Sequence, residues 1–240
     1  MKLLALETAT EACSVALYLD GDVCERFELA PRRHAELALP WIDALLAEAG
    51  VARSQLDAIA CGRGPGAFTG VRLAVAMVQG LALALDRPAI GISTLRTLAY
   101  PAMRALEAQG GSNVGVLAAI DARMGEVYLA DYRRGPEGEW IAVADECVIA
   151  PAAAMLPESG QRHGVGTGFA AERGVLAERF APYLTHVDAA ALPHAADTAR
   201  LAALALERGE GTPPEYLQPA YLRNNVALTL AEQGKPVPGA

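Results

Sequence analysis

Apolar and polar positions alternate in three short runs at the start of the chain, and then the period changes. Lys2–Glu7 is an apolar run ending on an acid, and Ala12–Leu19 places Val15, Leu17 and Leu19 on one face. Asp20-Gly21 is a hairpin signal, after which 23–29 returns as a third strand. Residues 36–49 switch to a helical period, with Ala38, Ile42, Leu45 and Ala49 on one face and Gly50 as the stop. Pro40 inside that run predicts a late start or a kink. A fourth strand is expected at 57–61, a long helix at 69–85 and a fifth strand at Ala89–Ile92. Ser93 is a good N-cap for the next helix, and Pro101 is expected to limit or bend it.

After Gly110-Gly111-Ser112 the pattern starts again. An apolar run at 114–121 ends on an acid, 126–132 alternates, and 140–149 reads as a third strand. Gly164-Val-Gly-Thr-Gly168 ends a short strand and opens a helix at 170–180; a strand at 184–187 and an alanine-rich helix at 194–207 follow. The segments Leu4 to Tyr18 and Ala118 to Tyr132 both read strand, acid, tight turn, strand. The expected class is therefore α/β, a duplicated βββαβα unit, with subdomains at 1–110 and 111–208. The tail 209–240 is rich in proline, but Tyr216-Leu217 and Tyr221-Leu222 are too apolar for a plain linker. Residues 213–223 should dock on the body and 234–240 should be loose.

The densest local signal is the run from Cys61 to Arg72, where four glycines and a proline fall between Gly62 and Gly70. Strand, glycine-rich turn and helix in that order suit phosphate binding at a helix N-terminus. They equally suit close backbone packing with Thr69 as N-cap. A P-loop needs a lysine after its last glycine, and the chain has only Lys2 and Lys235. Gly62-Arg-Gly64-Pro-Gly-Ala67 matches a dinucleotide fingerprint, but Asp86 stands before the next strand instead of ending it. Tight packing is the preferred reading, with an anion loop at Gly64, Gly66, Thr69 and Gly70 as the alternative.

Two acid-turn pairs resemble the phosphate loops of the actin-like ATPase fold. They are Glu7-Thr8-Ala9-Thr10 and Asp121-Ala122-Arg123-Met124-Gly125. In that fold the two hairpins face each other across ATP and Mg²⁺, an ion that suits carboxylate oxygens. Here Ala9 holds a position usually taken by glycine, and Arg123 and Met124 crowd the second turn. The loops Glu7, Thr8, Thr10, Asp121 and Arg123 read as degenerate. His34, His163, His186 and His194 form no HExxH or HxxxH spacing, and His34-Ala-Glu36 offers only two ligands, so no metal site is expected. No catalytic nucleophile stands out. The four cysteines form no CxxC pair and read as reduced thiols.

Helix 69–85 is apolar all round. Val71, Val75, Val78 and Leu85 can cover a sheet, while Leu73, Met77, Gly80 and Ala84 form a second apolar face. Helix 36–49 shares the trait through Leu37 and Trp41. Spare apolar faces on neighbouring helices predict a subunit interface. The net charge of −8 is a poor match for nucleic acid without a partner. No segment reads as a membrane span or a signal peptide, so the expected compartment is the cytoplasm.

These stretches together resemble the TsaB (YeaZ) family. The matching residues are Leu6-Glu-Thr-Ala-Thr10, His34-Ala-Glu36 with Leu39-Pro40, Gly64-Pro-Gly-Ala-Phe-Thr-Gly-Val-Arg72, Asp121-Ala-Arg-Met-Gly-Glu-Val-Tyr128 and Pro219-Ala-Tyr-Leu-Arg223. The family often has Ser at Ala67 and Asp at Glu7. The resemblance implies an actin-like (ribonuclease-H-like) fold and a non-catalytic subunit of the complex that makes threonylcarbamoyladenosine in tRNA. It implies a catalytic TsaD-like partner that moves threonylcarbamoyl from its adenylate to N6 of the adenosine 3′ of the anticodon. It also implies a TsaE-like ATPase, a homodimer when the chain is alone, and tRNA contact only through the complex. Ala38 stands where the paralogue's second metal-binding histidine would be. No resident cofactor is implied, with residual ATP or ADP and Mg²⁺ confined to the assembled complex. The rival is an actin-like ATPase or kinase using Glu7 and Asp121.

Overall fold

A computed structural model describes residues 1–110 and 113–223. The first half runs β1 (Lys2–Glu7), β2 (Ala12–Leu19), β3 (Asp22–Leu29), α1 (His34–Glu48), β4 (Ala58–Gly62), α2 (Phe68–Leu85), β5 (Ala89–Ile92) and α3 (Thr94–Ala108). The second half runs β6 (Val114–Arg123), β7 (Glu126–Arg134), β8 (Trp140–Ala142), β9 (Cys147–Ile149), β10 (Gln161–Val165), α4 (Val175–Phe180), β11 (Leu184–Asp188) and α5 (Ala195–Glu207). The sheets are ordered β3-β2-β1-β4-β5 and β8-β7-β6-β10-β11, with β9 also on β7. In both, an antiparallel hairpin is extended by two parallel strands. The repeat is thus real in sheet topology: the first copy adds a strand and a helix to the βββαβα unit, while the second has a short 3₁₀ turn (Pro151–Ala153) where the first has α1.

Strand alternation assigns the faces. Leu4 and Leu6 turn toward Ile42, Leu45, Val75 and Val78 of α1 and α2, while Leu3 and Ala5 turn toward Ala195, Ala199 and Ala202 of α5. The two halves exchange helices. Leu95, Leu98 and Met103 of α3 pack with Val116, Ala118 and Ile120 of the second sheet, while α5 covers the first. Each half therefore owns a sheet and lends the other a helix. Thr97 and Thr198 meet at 3.3 Å where α3 passes α5.

Several local expectations are corrected. Pro40 and Pro101 neither delay nor end their helices, which run from His34 to Glu48 and from Thr94 to Ala108 with both rings on the solvent face. The segment 140–149 is two short strands, because Glu146 turns inward to accept from the Ser93 hydroxyl across the halves. No helix starts at 170, since Glu172 and Arg173 are left-handed (φ 48° and 60°). Thr69 is not the N-cap: α2 starts at Phe68 after Ala67 and no side chain caps it. Asp86, weighed as a ribose ligand, is the left-handed C-cap of α2. By length and composition α2 could cross a membrane, with 18 residues and a mean hydropathy of 1.7. Here Val71, Ala74, Val75, Val78 and Ala82 of that helix are buried against the first core.

The glycine turn presses directly on the first hairpin. A Cβ at Gly70 would lie 1.9 Å from the Thr8 carbonyl oxygen, and one at Gly66 would lie 2.4 Å from that of Ala9. The Ala67 N–H donates to Ala9 O at 2.7 Å, so the α2 N-terminus is stitched to the hairpin backbone. Both obstacles are main chain and cannot swing aside as a side chain does. Gly70→Ala should therefore destabilise the fold by ~3 kcal/mol, read as a lower urea midpoint; an unchanged midpoint would show that the hairpin yields.

Candidate functional site

A cleft of roughly 1420 Å³ opens between the two halves. Its walls combine the first hairpin (Thr8, Ala9, Thr10), the glycine turn from Gly66 into α2, and the second hairpin (Asp121, Ala122, Arg123). The tail closes one side with Ala220 to Arg223. Three separate sequence signals thus converge on one place, in the position the duplicated fold gives to a nucleotide.

The residues there do not fit Mg-ATP. Glu7 does not face the cleft as expected. Its carboxylate is buried behind the hairpin, where it accepts from the Ala9 N–H at 2.9 Å and from the Thr94 hydroxyl at 3.4 Å. Gly62 makes the room, since a Cβ there would fall 1.8 Å from a Glu7 oxygen. Burial raises the Glu7 pKa to about 7, against the opposing hydrogen bonds from Ala9, Thr94 and Thr8. Thr8 donates its hydroxyl to Gly70 O at 2.8 Å, leaving it turned into protein. Asp121 does line the cleft, but its carboxylate accepts from the Arg123 N–H and from the Arg123 guanidinium, each at 2.7 Å. One acid is hidden and the other is paired.

The remaining site residues fall into two groups. Gly64, Gly66 and Gly70 pack against Val71, Ala9 and Thr8, and Thr69 is exposed on the cleft wall. Leu37, Trp41, Leu73 and Met77 are half-buried, Trp41 and Met77 with part of their surface against the first core, and Gly80 and Ala84 are exposed. Leu83 adds a side chain that is 72% exposed. Among the described residues a Cβ at Gly80 would meet nothing within 4 Å, so that glycine serves no contact with them. His34, weighed as a metal ligand, instead places Nε2 3.0 Å from Thr10 O and 3.2 Å from Ala12 O.

The tail holds contacts that the linear pattern did not assign. Leu217 is buried in the first core and its carbonyl accepts from Gln79 of α2. Ala220 donates to Arg63 O, and the Tyr221 hydroxyl accepts from Arg72. Arg223 then crosses to the second half, donating to Ala122 O, Arg123 O and Glu126. The run Pro219-Ala-Tyr-Leu-Arg223 was the available signal, without anything to name its partners.

Comparison with known proteins decides the family. A family model described as TsaD, tRNA N6-adenosine threonylcarbamoyltransferase, matches residues 27–230. The tRNA threonylcarbamoyladenosine biosynthesis protein TsaB of Escherichia coli (strain K12) is 43% identical over 230 residues, covering 95% of this chain and 96% of that protein. The Haemophilus influenzae protein of the same name is 39% identical over 234 residues, covering 94% of this chain and 95% of that protein. The chain belongs to the TsaB (YeaZ) family. A solved structure of YeaZ from Pseudomonas aeruginosa is 45% identical and aligns with a TM-score of 0.78, over 92% of this chain and 99% of that one. The actin-like, ribonuclease-H-like fold follows for this TsaB-family member, with the two matching sheet orders as its local evidence.

The buried carboxyl of the first hairpin has a thermodynamic signature. Glu7 titrates at 4.5 unfolded and at about 7 folded. The stability it contributes when protonated is full below pH 4.5 and is lost as pH rises to about 7. The loss amounts to ~3 kcal/mol. Glu7→Gln should remove it, so the variant should gain on the wild type across that window in denaturant titrations. Parallel curves for the two proteins would show that Glu7 is ionised when folded.

Proposed function

We propose that the chain is a non-catalytic subunit of the machinery that makes threonylcarbamoyladenosine in tRNA. The observation that carries this reading is the 43% identity to the Escherichia coli biosynthesis protein along 95% of the chain. Its part in the reaction is to bind a catalytic TsaD-like subunit and hold it in an active conformation, with a TsaE-like ATPase joining them. Threonylcarbamoyl transfer to N6 of adenosine takes place on the partner. tRNA meets this chain within the assembled complex, in the cytoplasm.

The partner face is the outer side of α1 and α2. Leu83, Ala76, Gly80 and Ala84 are exposed there beside half-buried Leu37, Trp41, Leu73 and Met77. Leaving so much apolar surface in water is costly, and covering it stabilises an assembly. The same face would join two copies when the partner is absent. The rival ATPase reading finds less support, because Glu7 is turned from the cleft and Asp121 is paired with Arg123.

Gly80→Arg tests the partner face without touching the core, since the position is open. A guanidinium trapped unpaired in an apolar contact is strongly unfavourable. Association of the homodimer and of the partner complex should weaken at least about tenfold, seen by light scattering and by pull-down. tRNA modification by the reconstituted proteins should fall with it. Full modification by a folded variant would remove this face from the mechanism. Tight Mg-ATP binding in calorimetry, abolished by Glu7→Ala, would instead favour the ATPase.

A further inference from the structure

The rim of the cleft carries a cluster that neither the core nor the partner face uses. Phe68, the first residue of α2, is 55% exposed, and Tyr221 of the tail is 46% exposed. The Arg72 guanidinium lies over the Phe68 ring, 3.7 Å from its centroid, and 5.3 Å from that of Tyr221. Its Nε donates to the Tyr221 hydroxyl at 2.5 Å. Among the described residues its two terminal nitrogens have no hydrogen-bond partner. A cation is thus held over one ring and tethered to another, with its outer donors still available.

The charge around it is opposite to that of the molecule. The cleft lining holds Arg32, Arg72, Arg123 and Arg223 against Glu11 and Asp121, in a chain of net charge −8. Arg123 is paired with Asp121 and Arg223 with Glu126, which leaves Arg32 and Arg72 against Glu11. Tail docking does not by itself account for the exposed rings. The tail is held independently by Gln79 on Leu217, by Ala220 on Arg63 and by Arg223 on the second hairpin. An exposed aromatic face beside an available guanidinium suits an unpaired base together with its phosphate.

We propose that Phe68, Arg72 and Tyr221 form a stacking platform for an unpaired nucleotide of RNA, with Arg72 on the phosphate and Arg32 adding field. The platform itself stands on the geometry; preferring RNA to a protein partner rests on the tRNA-modification reading above. The platform begins where the proposed partner face ends on α2, so both can be engaged at once.

The test is fluorescence anisotropy of the full chain, alone and with its catalytic partner, at low salt. The probe is a labelled RNA hairpin with an unpaired loop, compared with the same stem as a continuous duplex. Loop RNA should bind more tightly than duplex. Phe68→Ala should weaken it about tenfold, Phe68→Tyr should retain it, and Arg72→Gln should reduce the salt slope by about one. Circular dichroism confirms that these exposed-site variants fold. Equal binding of loop and duplex, or no binding by the wild type in either setting, or variants that bind like the wild type, would overturn the platform. Displacement of the loop by micromolar adenosine monophosphate would assign the site to a free nucleotide and overturn the RNA assignment. The two proposals separate by variant: Gly80→Arg should abolish partner binding, whereas Phe68→Ala should leave partner binding unchanged while weakening loop RNA.

Discussion

Everything around the cleft depends on one contact, backbone against backbone, between the first hairpin and the glycine turn. The Thr8 and Ala9 carbonyls occupy the space where side chains at positions 70 and 66 would be. The Ala67 N–H and the Thr8 hydroxyl close the seam from both sides. This fixes where α2 leaves the sheet, and with it the direction of both its faces. It also draws the hairpin down over β4, where Gly62 accommodates the Glu7 carboxylate. Glycine is required here for space: Gly66 and Gly70 both lie outside the positive-φ set, so the usual conformational argument for glycine does not apply to them.

The same contact accounts for the changed chemistry of a cleft inherited from a nucleotide-binding architecture. An open hairpin offers backbone donors and a carboxylate to a phosphate and its metal. In this hairpin the Ala9 N–H and the Glu7 carboxylate are paired with each other, while α2 takes the Ala9 carbonyl and the Thr8 hydroxyl. The second hairpin reaches a similar end by another route, since Arg123 turns back on Asp121 and Arg223 reaches its carbonyls from the tail. What is left on the cleft rim is arginine and aromatic surface, a set of groups suited to planar anions and ill suited to magnesium.

Much of this was legible in the sequence because it is local. Alternation found the strands, Asp20-Gly21 found a hairpin, and Ser93 accepts from the Arg96 N–H as its residue type foretells. The duplication was visible in element order, and the sheet orders show why: both copies build an antiparallel hairpin with parallel strands added beside its first member. What was not legible depends on distant partners. The orientation of Glu7 is decided by Gly62 and Thr94, the break in 140–149 by Ser93, and the helix exchange by which sheet α3 and α5 meet first. Pro40 and Pro101 misled because a proline penalises a helix locally, while burial of Ile42, Leu45, Met103 and Leu106 beyond them outweighs that penalty.

The tail gives the architecture a mechanical consequence. It is tied to the middle of α2 by Gln79 and to its first turns by Arg72, and then ends its described course on the second hairpin. A displacement of α2 therefore has a route to the opposite wall of the cleft through the strap from Leu217 to Arg223, while the stitched seam carries it to the first hairpin. An assembly that covers the outer face of α2 is thereby connected to the rim where Phe68, Arg72 and Tyr221 lie, because all three belong either to that helix or to the strap attached to it. Coupling of this kind needs only a rigid helix held at its N-terminal turns and at its middle, which the glycine seam and the tail provide.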